Sequence, residues 1–187
     1  MAEHWSAVED LFAQLAYFAK NLDPNGIELY DTVSGLEFKS PDTSSLLEKL
    51  DRVKPHSGSS RSDPSQRIDK LLRDYAERLD DCYAKSKMSR WPIRSRSRVD
   101  PVTIYILTDG VWQPKCDVAG PIKSLMTKME QYDLPKGQVG IQFIQFGDDF
   151  EGSQKLAKLD SKKKSGFKMQ VNHVLGYQAE TLLTLGQ

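Results

Sequence analysis

The sequence predicts an α/β domain in which a mainly parallel sheet is flanked by helices on both faces. Residues 102–107 form a nearly unbroken run of β-branched and apolar residues, and residues 139–146 form a second such strand. Runs of this kind are typical of strands that are covered on both faces. Stretches with apolar residues three or four apart lie between the strands and predict helices. This alternation indicates parallel strands joined by right-handed crossovers.

The N-terminal part predicts a helix followed by two short strands. Apolar residues recur three or four positions apart between residues 4 and 21 and form one helix face. Pro24 and Gly26 end this helix, and residues 27–33 then alternate as a half-buried strand does. Residues 36–39 alternate again after a Ser-Gly turn, which predicts a neighbouring strand at the edge of the sheet.

Two more helices are predicted before residue 102. A short helix over residues 44–53 has either Asp42 or Thr43 as its cap. A longer helix opens at an Asp-Pro pair, residues 63–64, because a capping residue before a proline is a helix start. Its apolar face continues to about residue 85.

The C-terminal part predicts two helices around the second buried strand, and then an outer strand. Residues 118–132 and 151–163 carry apolar residues at helical spacing. Residues 167–171 alternate and predict the outer strand. The length of the chain fits one domain, residues 1–187.

Residues 85–99 are predicted to form a long basic surface loop. The segment contains no acidic residue and one aromatic residue, Trp91, and Pro92 interrupts regular structure. Acidic residues just upstream offset the charge and favour a solvated loop. Arginines beside an aromatic ring can also hold phosphates and stack on a base, which makes anion or nucleic-acid binding the alternative function. The candidate anion-binding residues are Arg90, Arg94, Arg96 and Arg98.

Composition and charge exclude several classes of protein. The 26 basic and 26 acidic residues cancel, so no global field draws the chain to nucleic acid or to a membrane. Cys82 and Cys116 lie far apart and outside any Cys-x-x-Cys spacing, which favours a reducing compartment and no zinc site. The N-terminus carries acidic residues where a signal peptide needs a basic start. We therefore expect a cytoplasmic protein with no membrane span.

Several segments resemble von Willebrand factor type A (vWA) domains, in particular a group found in fungal proteins. The run VTIYILTDGVW, residues 102–112, resembles the fourth strand of the family and the loop after it, in which an aspartate contributes to a divalent-metal site. Asp109 is the matching residue. Other segments resemble the first helix, the second strand, the helix after the second metal loop and the last helix-to-strand passage: HWSAVEDLFAQLAY, DPNGIELYDT, RIDKLLRDY and LDSKKKSGFKMQVNHV. The resemblance implies a Rossmann-like fold and a metal-ion-dependent adhesion site (MIDAS) that binds protein partners.

The N-terminus departs from the family's pattern. The first strand of the family ends in Asp-x-Ser-x-Ser, and here Met1 stands where that motif ends. We therefore expect a truncated domain that lacks its first central strand and three metal-coordinating side chains. In the second metal loop, Ser59 or Ser60 would replace the threonine of the family. Asp109 and one hydroxyl would anchor Mg²⁺ only weakly, so the site is expected to be degenerate and no other cofactor is expected. The exposed strand edges would allow homo-oligomers.

No catalytic arrangement is recognisable in the sequence, so we expect a protein that is not an enzyme. His4, His56 and His173 lie in separate segments without metal-ligand spacing, and neither cysteine has a catalytic neighbour. The sequence also lacks a Gly-rich phosphate-binding loop.

The primary hypothesis is a module that binds another protein. Open α/β sheets place their ligands at the carboxyl ends of the parallel strands. We expect Asp109, Trp112 and Ser57 to border this surface.

Overall fold

The computed structural model describes residues 1–22, 26–55, 62–88, 99–135, 137–160 and 168–174. After a 3₁₀ turn over Ala2–His4, the helices in these ranges are α1 Trp5–Ala19, α2 Thr43–Arg52, α3 Ser65–Met88, α4 Ala119–Gln131 and α5 Phe150–Asp160. The strands are β1 Ile27–Tyr30, β2 Glu37–Ser40, β3 Val102–Thr108, β4 Val139–Phe146 and β5 Lys168–Val174. The α/β class predicted from the sequence is confirmed. Among the described helices, none is long and apolar enough to cross a membrane.

The described strands form two separate sheets, where the sequence predicted one. β1 and β2 make an antiparallel pair, with Ile27 opposite Ser40 and Tyr30 opposite Glu37. β3, β4 and β5 make a parallel sheet with β4 in the centre. Val102 lies opposite Val139 in this sheet. Because the three strands are parallel, their carboxyl ends lie at the same end of the sheet.

β3 differs from its prediction as a central strand that is covered on both faces. It lies at an edge of the described parallel sheet, and the side chain of Tyr105 is 44% exposed. The pairing that would close the sheet, between residues 27–33 and 102–107, is not formed in the described part of the chain. An apolar run reports which faces of a strand are covered, but it does not report whether both edges are paired.

Helices cover both faces of the parallel sheet and bury two separate apolar clusters. The first apolar cluster joins α3, α4 and α5 to one face, and its buried sheet residues are Val139, Ile141 and Phe143. The second apolar cluster joins α1 and α2 to the other face and to the β1–β2 pair, and its buried members are Trp5, Val8, Phe12, Ala16, Leu46, Leu50, Ile144 and Phe146. β4 contributes to both clusters, because successive side chains of a strand point to opposite faces.

The ends of several elements are fixed by polar side chains. Asp42 caps α2, since its Oδ2 accepts a hydrogen bond from the amide of Ser45 at 2.9 Å, which decides between the two predicted caps. β1 ends three residues earlier than predicted, because Asp31 Oδ2 accepts hydrogen bonds from the amides of Val33 and Ser34 and turns the chain.

The predicted basic loop is partly helical. α3 extends to Met88, so residues 85–88 belong to the helix. Residues 89–98 of that segment lie outside the described residues. Lysine and methionine are good helix formers, and residues 85–88 contain no proline or glycine that would end the helix at residue 85.

A buried hydrogen-bond network fixes the start of β3 next to β4. Gln138 is buried, and its Nε2 donates to Tyr75 Oη at 2.7 Å and to the carbonyl of Val99 at 2.8 Å. The hydroxyl of Tyr75 in turn donates to the carbonyl of Asp100 at 2.9 Å. Buried polar groups of this kind hold one arrangement, because breaking it leaves donors and acceptors without partners.

Candidate partner-binding site

The loops after β3 and β4 lie at the same edge of the sheet. Residues 109–112 follow β3, and residues 147–149 lead from β4 into α5. Because the carboxyl ends of parallel strands meet at one edge, this is where an open α/β sheet offers a binding surface. Asp109, the residue singled out in the sequence, stands at the end of β3 as predicted.

Both carboxylate oxygens of Asp109 have hydrogen-bond donors within the chain. Oδ1 accepts from the amide of Val111 at 3.1 Å. Oδ2 lies 2.6 Å from the ammonium nitrogen of Met1, and both groups are only about one-fifth exposed, at 22% and 21%. This arrangement is a charge-assisted hydrogen bond. The carboxylate therefore anchors the loop and the N-terminus.

A metal site at Asp109 has no support among the described residues. They contain no group of three or more His, Cys, Asp or Glu side chains that could hold a metal ion. Ser59 and Ser60, the proposed hydroxyl ligands, lie outside the described residues, as does Ser57. Mg²⁺ requires near-octahedral oxygen coordination, and here the ammonium of Met1 already lies against Asp109 Oδ2. A cation at this carboxylate would have to displace it.

Calorimetric titration of Mg²⁺ or Mn²⁺ is therefore expected to give no saturable binding below millimolar concentration. The Asp109→Ala variant is the control, and its titration should match that of the unchanged chain. Saturable binding at micromolar metal that is lost in Asp109→Ala would contradict this prediction and show that oxygens from other residues complete the site.

Trp112 is buried and supports the loop from below. Its side chain is 3% exposed and packs against Phe143 with ring centroids 6.1 Å apart. The indole Nε1 donates to Thr108 Oγ1 at 2.9 Å, which satisfies the one polar atom of the ring. The sequence led us to expect Trp112 at the border of the surface. An aromatic residue after an Asp-Gly turn looks exposed in sequence, but the turn directs this ring into the first apolar cluster.

Two glycines bring the backbones of the two loops together. A Cβ atom built at Gly152 would lie 2.7 Å from the carbonyl oxygen of Asp109, and one at Gly110 would lie 2.7 Å from the Cα of Gly152. Gly110 also has a φ of +76°, in the left-handed region that glycine adopts without strain. The loop after β3 and the first turn of α5 are therefore in close backbone contact.

Phe150 is the most exposed large apolar side chain next to these loops. It opens α5 and is 73% exposed, and Asp148 and Asp149 beside it are also exposed. Asp149 Oδ1 accepts from the amide of Gly152 at 2.8 Å and so caps the helix. We call Asp109, Asp148, Asp149 and Phe150 the carboxyl-end surface.

Phe150 was not predicted as a site residue, because the helix was predicted to begin at residue 151. A signal was present in the sequence. Leu156 and Leu159 define the buried face of α5, and Phe150 does not belong to that series at helical spacing. An apolar residue off the buried face of a helix, directly after two aspartates, is a candidate for a surface contact.

Cys116 lies beside the Trp112 loop and is not an activated thiol. Burial raises the pKa of Cys116, and the carboxylate of Asp63, which accepts a hydrogen bond from the thiol, adds to this effect, so that the pKa is about 11. The pKa of Asp63 is lowered, chiefly because the hydroxyl of Ser65 donates to it. Since the thiolate is the nucleophile, this cysteine is protonated and unreactive near neutral pH.

Comparisons with known proteins do not assign the site. The chain matches no family model, no curated protein and no solved structure. The candidate anion-binding residues Arg90, Arg94, Arg96 and Arg98 lie outside the described residues.

Proposed function

We propose that this chain is a protein-interaction domain of the vWA type with a degenerate MIDAS, and that it binds its partner at the carboxyl-end surface. The exposure of Phe150 beside the close contact between the two loops carries the proposal, since 73% of this side chain is open to solvent. Aromatic anchors that are held in place lose little entropy on binding and supply much of the energy of protein interfaces. The proposal involves no catalytic step.

The vWA assignment is supported by the arrangement of the elements as well as by the quoted segments. An antiparallel pair, β1–β2, precedes a parallel set in the order β3-β4-β5, with helices packed on both faces. Asp109 stands at the carboxyl end of β3, where the family has a metal-site aspartate. Since both oxygens of Asp109 have donors within the chain, partner binding in this proposal is independent of metal.

The charge around Phe150 indicates the chemistry of the partner. Asp148 and Asp149 are exposed beside the ring, so the surface combines an apolar anchor with negative charge. A complementary protein would present an apolar pocket bordered by lysine or arginine, because opposite charges at the rim of an interface steer association and exclude other partners. The partner is accordingly expected to be a protein with a basic docking face.

Phe150→Ala is expected to weaken partner binding by about 30-fold, which corresponds to the roughly 2 kcal/mol typical of an aromatic hot spot. Tagged chains would capture proteins from extracts of the source cells, with retained proteins quantified by mass spectrometry. Tyr17→Ala is the matched control, because Tyr17 is another exposed aromatic residue, at 58%, on a different part of the molecule. This control should retain the partner in full.

The same experiment separates this proposal from the alternative, anion or nucleic-acid binding by the basic segment 85–99. Binding through phosphate contacts falls steeply with salt, whereas a contact that depends on Phe150 falls only modestly. Retention of nucleic acid that is steeply salt-dependent and unchanged in Phe150→Ala would overturn the proposal and favour the basic segment.

A further inference from the structure

One face of the β1–β2 pair carries polar and charged side chains and contacts α3. Ile27 and Leu29 pack against the second apolar cluster, so Glu28 and Tyr30, which alternate with them, lie on the opposite face of β1. Glu37 of β2 lies opposite Tyr30 and therefore belongs to the same face. The pair is thus apolar on the side of α1 and α2, and charged on the side of α3.

Arg67 of α3 contacts three parts of the β1–β2 pair. Its guanidinium forms an ion pair with Glu37 of β2 and donates to the carbonyl of Gly35, in the turn, at 3.0 Å. The same group lies over the ring of Tyr30 of β1, with 5.7 Å between Cζ and the ring centroid, which is a cation–π contact. The Arg67 side chain is only 17% exposed, so one largely buried cation holds both strands and the turn.

A second cation of α3 binds the same carboxylate. Lys70 Nζ lies 2.8 Å from Glu37 Oε1, and the two side chains are about half exposed, at 54% and 43%. Because both groups are open to water, dissolved salt can screen their attraction. We call the following residues the Arg67 network: Tyr30, Gly35, Glu37, Arg67 and Lys70.

The carboxylates on this face are held in their ionised form. Lys70, which donates a hydrogen bond to Glu37, lowers the pKa of that carboxyl. Lys39 likewise donates to Glu28 at 2.8 Å and lowers its pKa, and the positive charge of Arg78 in α3 adds to this effect. Both carboxylates are therefore negative at neutral pH, so the attraction between the pair and α3 is between full charges.

The apolar contacts of the β1–β2 pair are limited. Ile27, Leu29 and Phe38 are only partly buried, and within the two strands the buried residue is the polar Ser40. A two-stranded hairpin is at best marginally stable by itself in water. The pair therefore depends on the charged contacts with α3 as well as on its apolar face.

We propose that the Arg67 network is a salt-sensitive switch that holds the β1–β2 pair on α3. The range of electrostatic attraction falls from about 10 Å at 0.1 M salt to about 3 Å at 1 M salt, which weakens the network. The pair then separates from α3 and loses its cross-strand hydrogen bonds, while α3 and the parallel sheet stay folded. In this open state Ile27, Leu29 and Phe38 are exposed, so ionic strength controls access to an apolar surface.

Amide hydrogen exchange of the full chain without a partner measures this opening. The amide of Asp31 donates across the pair to the carbonyl of Leu36 at 3.0 Å, so its exchange reports the open state. This exchange should be at least roughly fivefold faster in 1 M than in 0.1 M sodium chloride, because several small ion-pair contributions weaken together. The amide of Val102, which donates to the carbonyl of Gln138 at 3.0 Å, reports the parallel sheet and should not change.

Two variants weaken the network, and a third is the matched control. Arg67→Met removes the charge and keeps most of the side-chain length, and Glu37→Gln removes the charge and keeps the shape. In both variants, exchange at Asp31 should already be at least roughly fivefold faster at 0.1 M salt and should respond little to more salt. Arg73→Gln is the control, because Arg73 pairs with Asp69 within α3, and it should behave as the unchanged chain does.

Three results would overturn the inference. Equal exchange at Asp31 in low and high salt would show that the charged contacts do not hold the pair. A salt response that is the same in Arg67→Met, Glu37→Gln and the unchanged chain would assign the effect to other charges. Salt that speeds exchange at Val102 as much as at Asp31 would show that the whole chain opens. All of these measurements use the chain alone, so none depends on partner binding at the carboxyl-end surface.

Discussion

Trp112→Ala is expected to lower the free energy of unfolding by about 3–5 kcal/mol, the range for removing a large aromatic side chain from a core. The ring is 3% exposed and packs on Phe143. Its removal leaves a cavity under the loop that carries Asp109, and the glycine contact to α5 restrains the collapse of that loop. Urea denaturation, followed by circular dichroism, measures the loss.

Two companion variants show where this energy comes from. Trp112→Phe keeps most of the packing and removes the indole N–H, while Thr108 Oγ1 keeps the amide of Gly110 as a donor at 3.0 Å. We expect a loss of about 1–2 kcal/mol, near that of one buried hydrogen bond. Tyr17→Ala should stay within about 0.5 kcal/mol, as exposed positions do. Wild-type stability in Trp112→Ala would instead place the indole at the surface, as the sequence first indicated.

Gly110→Ala is expected to destabilise the protein by about 2–5 kcal/mol, because two penalties combine. A left-handed φ of +76° disfavours alanine by about 1–2 kcal/mol. The new methyl group would also lie 2.7 Å from the Cα of Gly152, and overpacking against backbone costs about 1–3 kcal/mol. Relief of this clash would separate the loop after β3 from α5.

Two other glycines isolate the two penalties. Gly137 has a φ of +95° with nothing within 4 Å of a built Cβ, so Gly137→Ala should cost only the backbone strain, about 1–2 kcal/mol. Gly152→Ala meets the carbonyl of Asp109 at 2.7 Å without a positive φ, so it should show mainly the clash, about 1–3 kcal/mol. If Gly110→Ala is no worse than Gly137→Ala, the two loops are not in tight contact.

Residues buried on both faces were the easiest to predict. β4 has the predicted bounds, Val139–Phe146, because each of its faces packs on an apolar cluster and the whole run is apolar or amide-bearing. The same signal located β3 but gave no information about its edge. Edge pairing depends on backbone groups that every residue has, so side-chain patterns do not encode it directly.

The position of the candidate site could be predicted from the sequence, but the burial and exposure of its aromatic residues could not. Asp109 was predicted at the carboxyl end of a parallel strand, and it lies there, because an Asp-Gly pair after an apolar run ends a strand. The burial of Trp112 and the exposure of Phe150 were not predicted. Both depend on the direction that the chain takes after a turn. This direction depends on the close approach of Gly110 to Gly152, two residues that are distant in sequence.

The division of the core into two clusters bears on how the protein comes apart. Among the described residues, α1, α2 and the β1–β2 pair reach the parallel sheet through Leu107, Ile144 and Phe146. Native proteins open in cooperative units, and a unit joined to the rest by few buried side chains opens at lower free energy than the whole. We therefore expect α1, α2 and the β1–β2 pair to unfold before β3, β4 and the first apolar cluster do. The protein would then unfold in two steps.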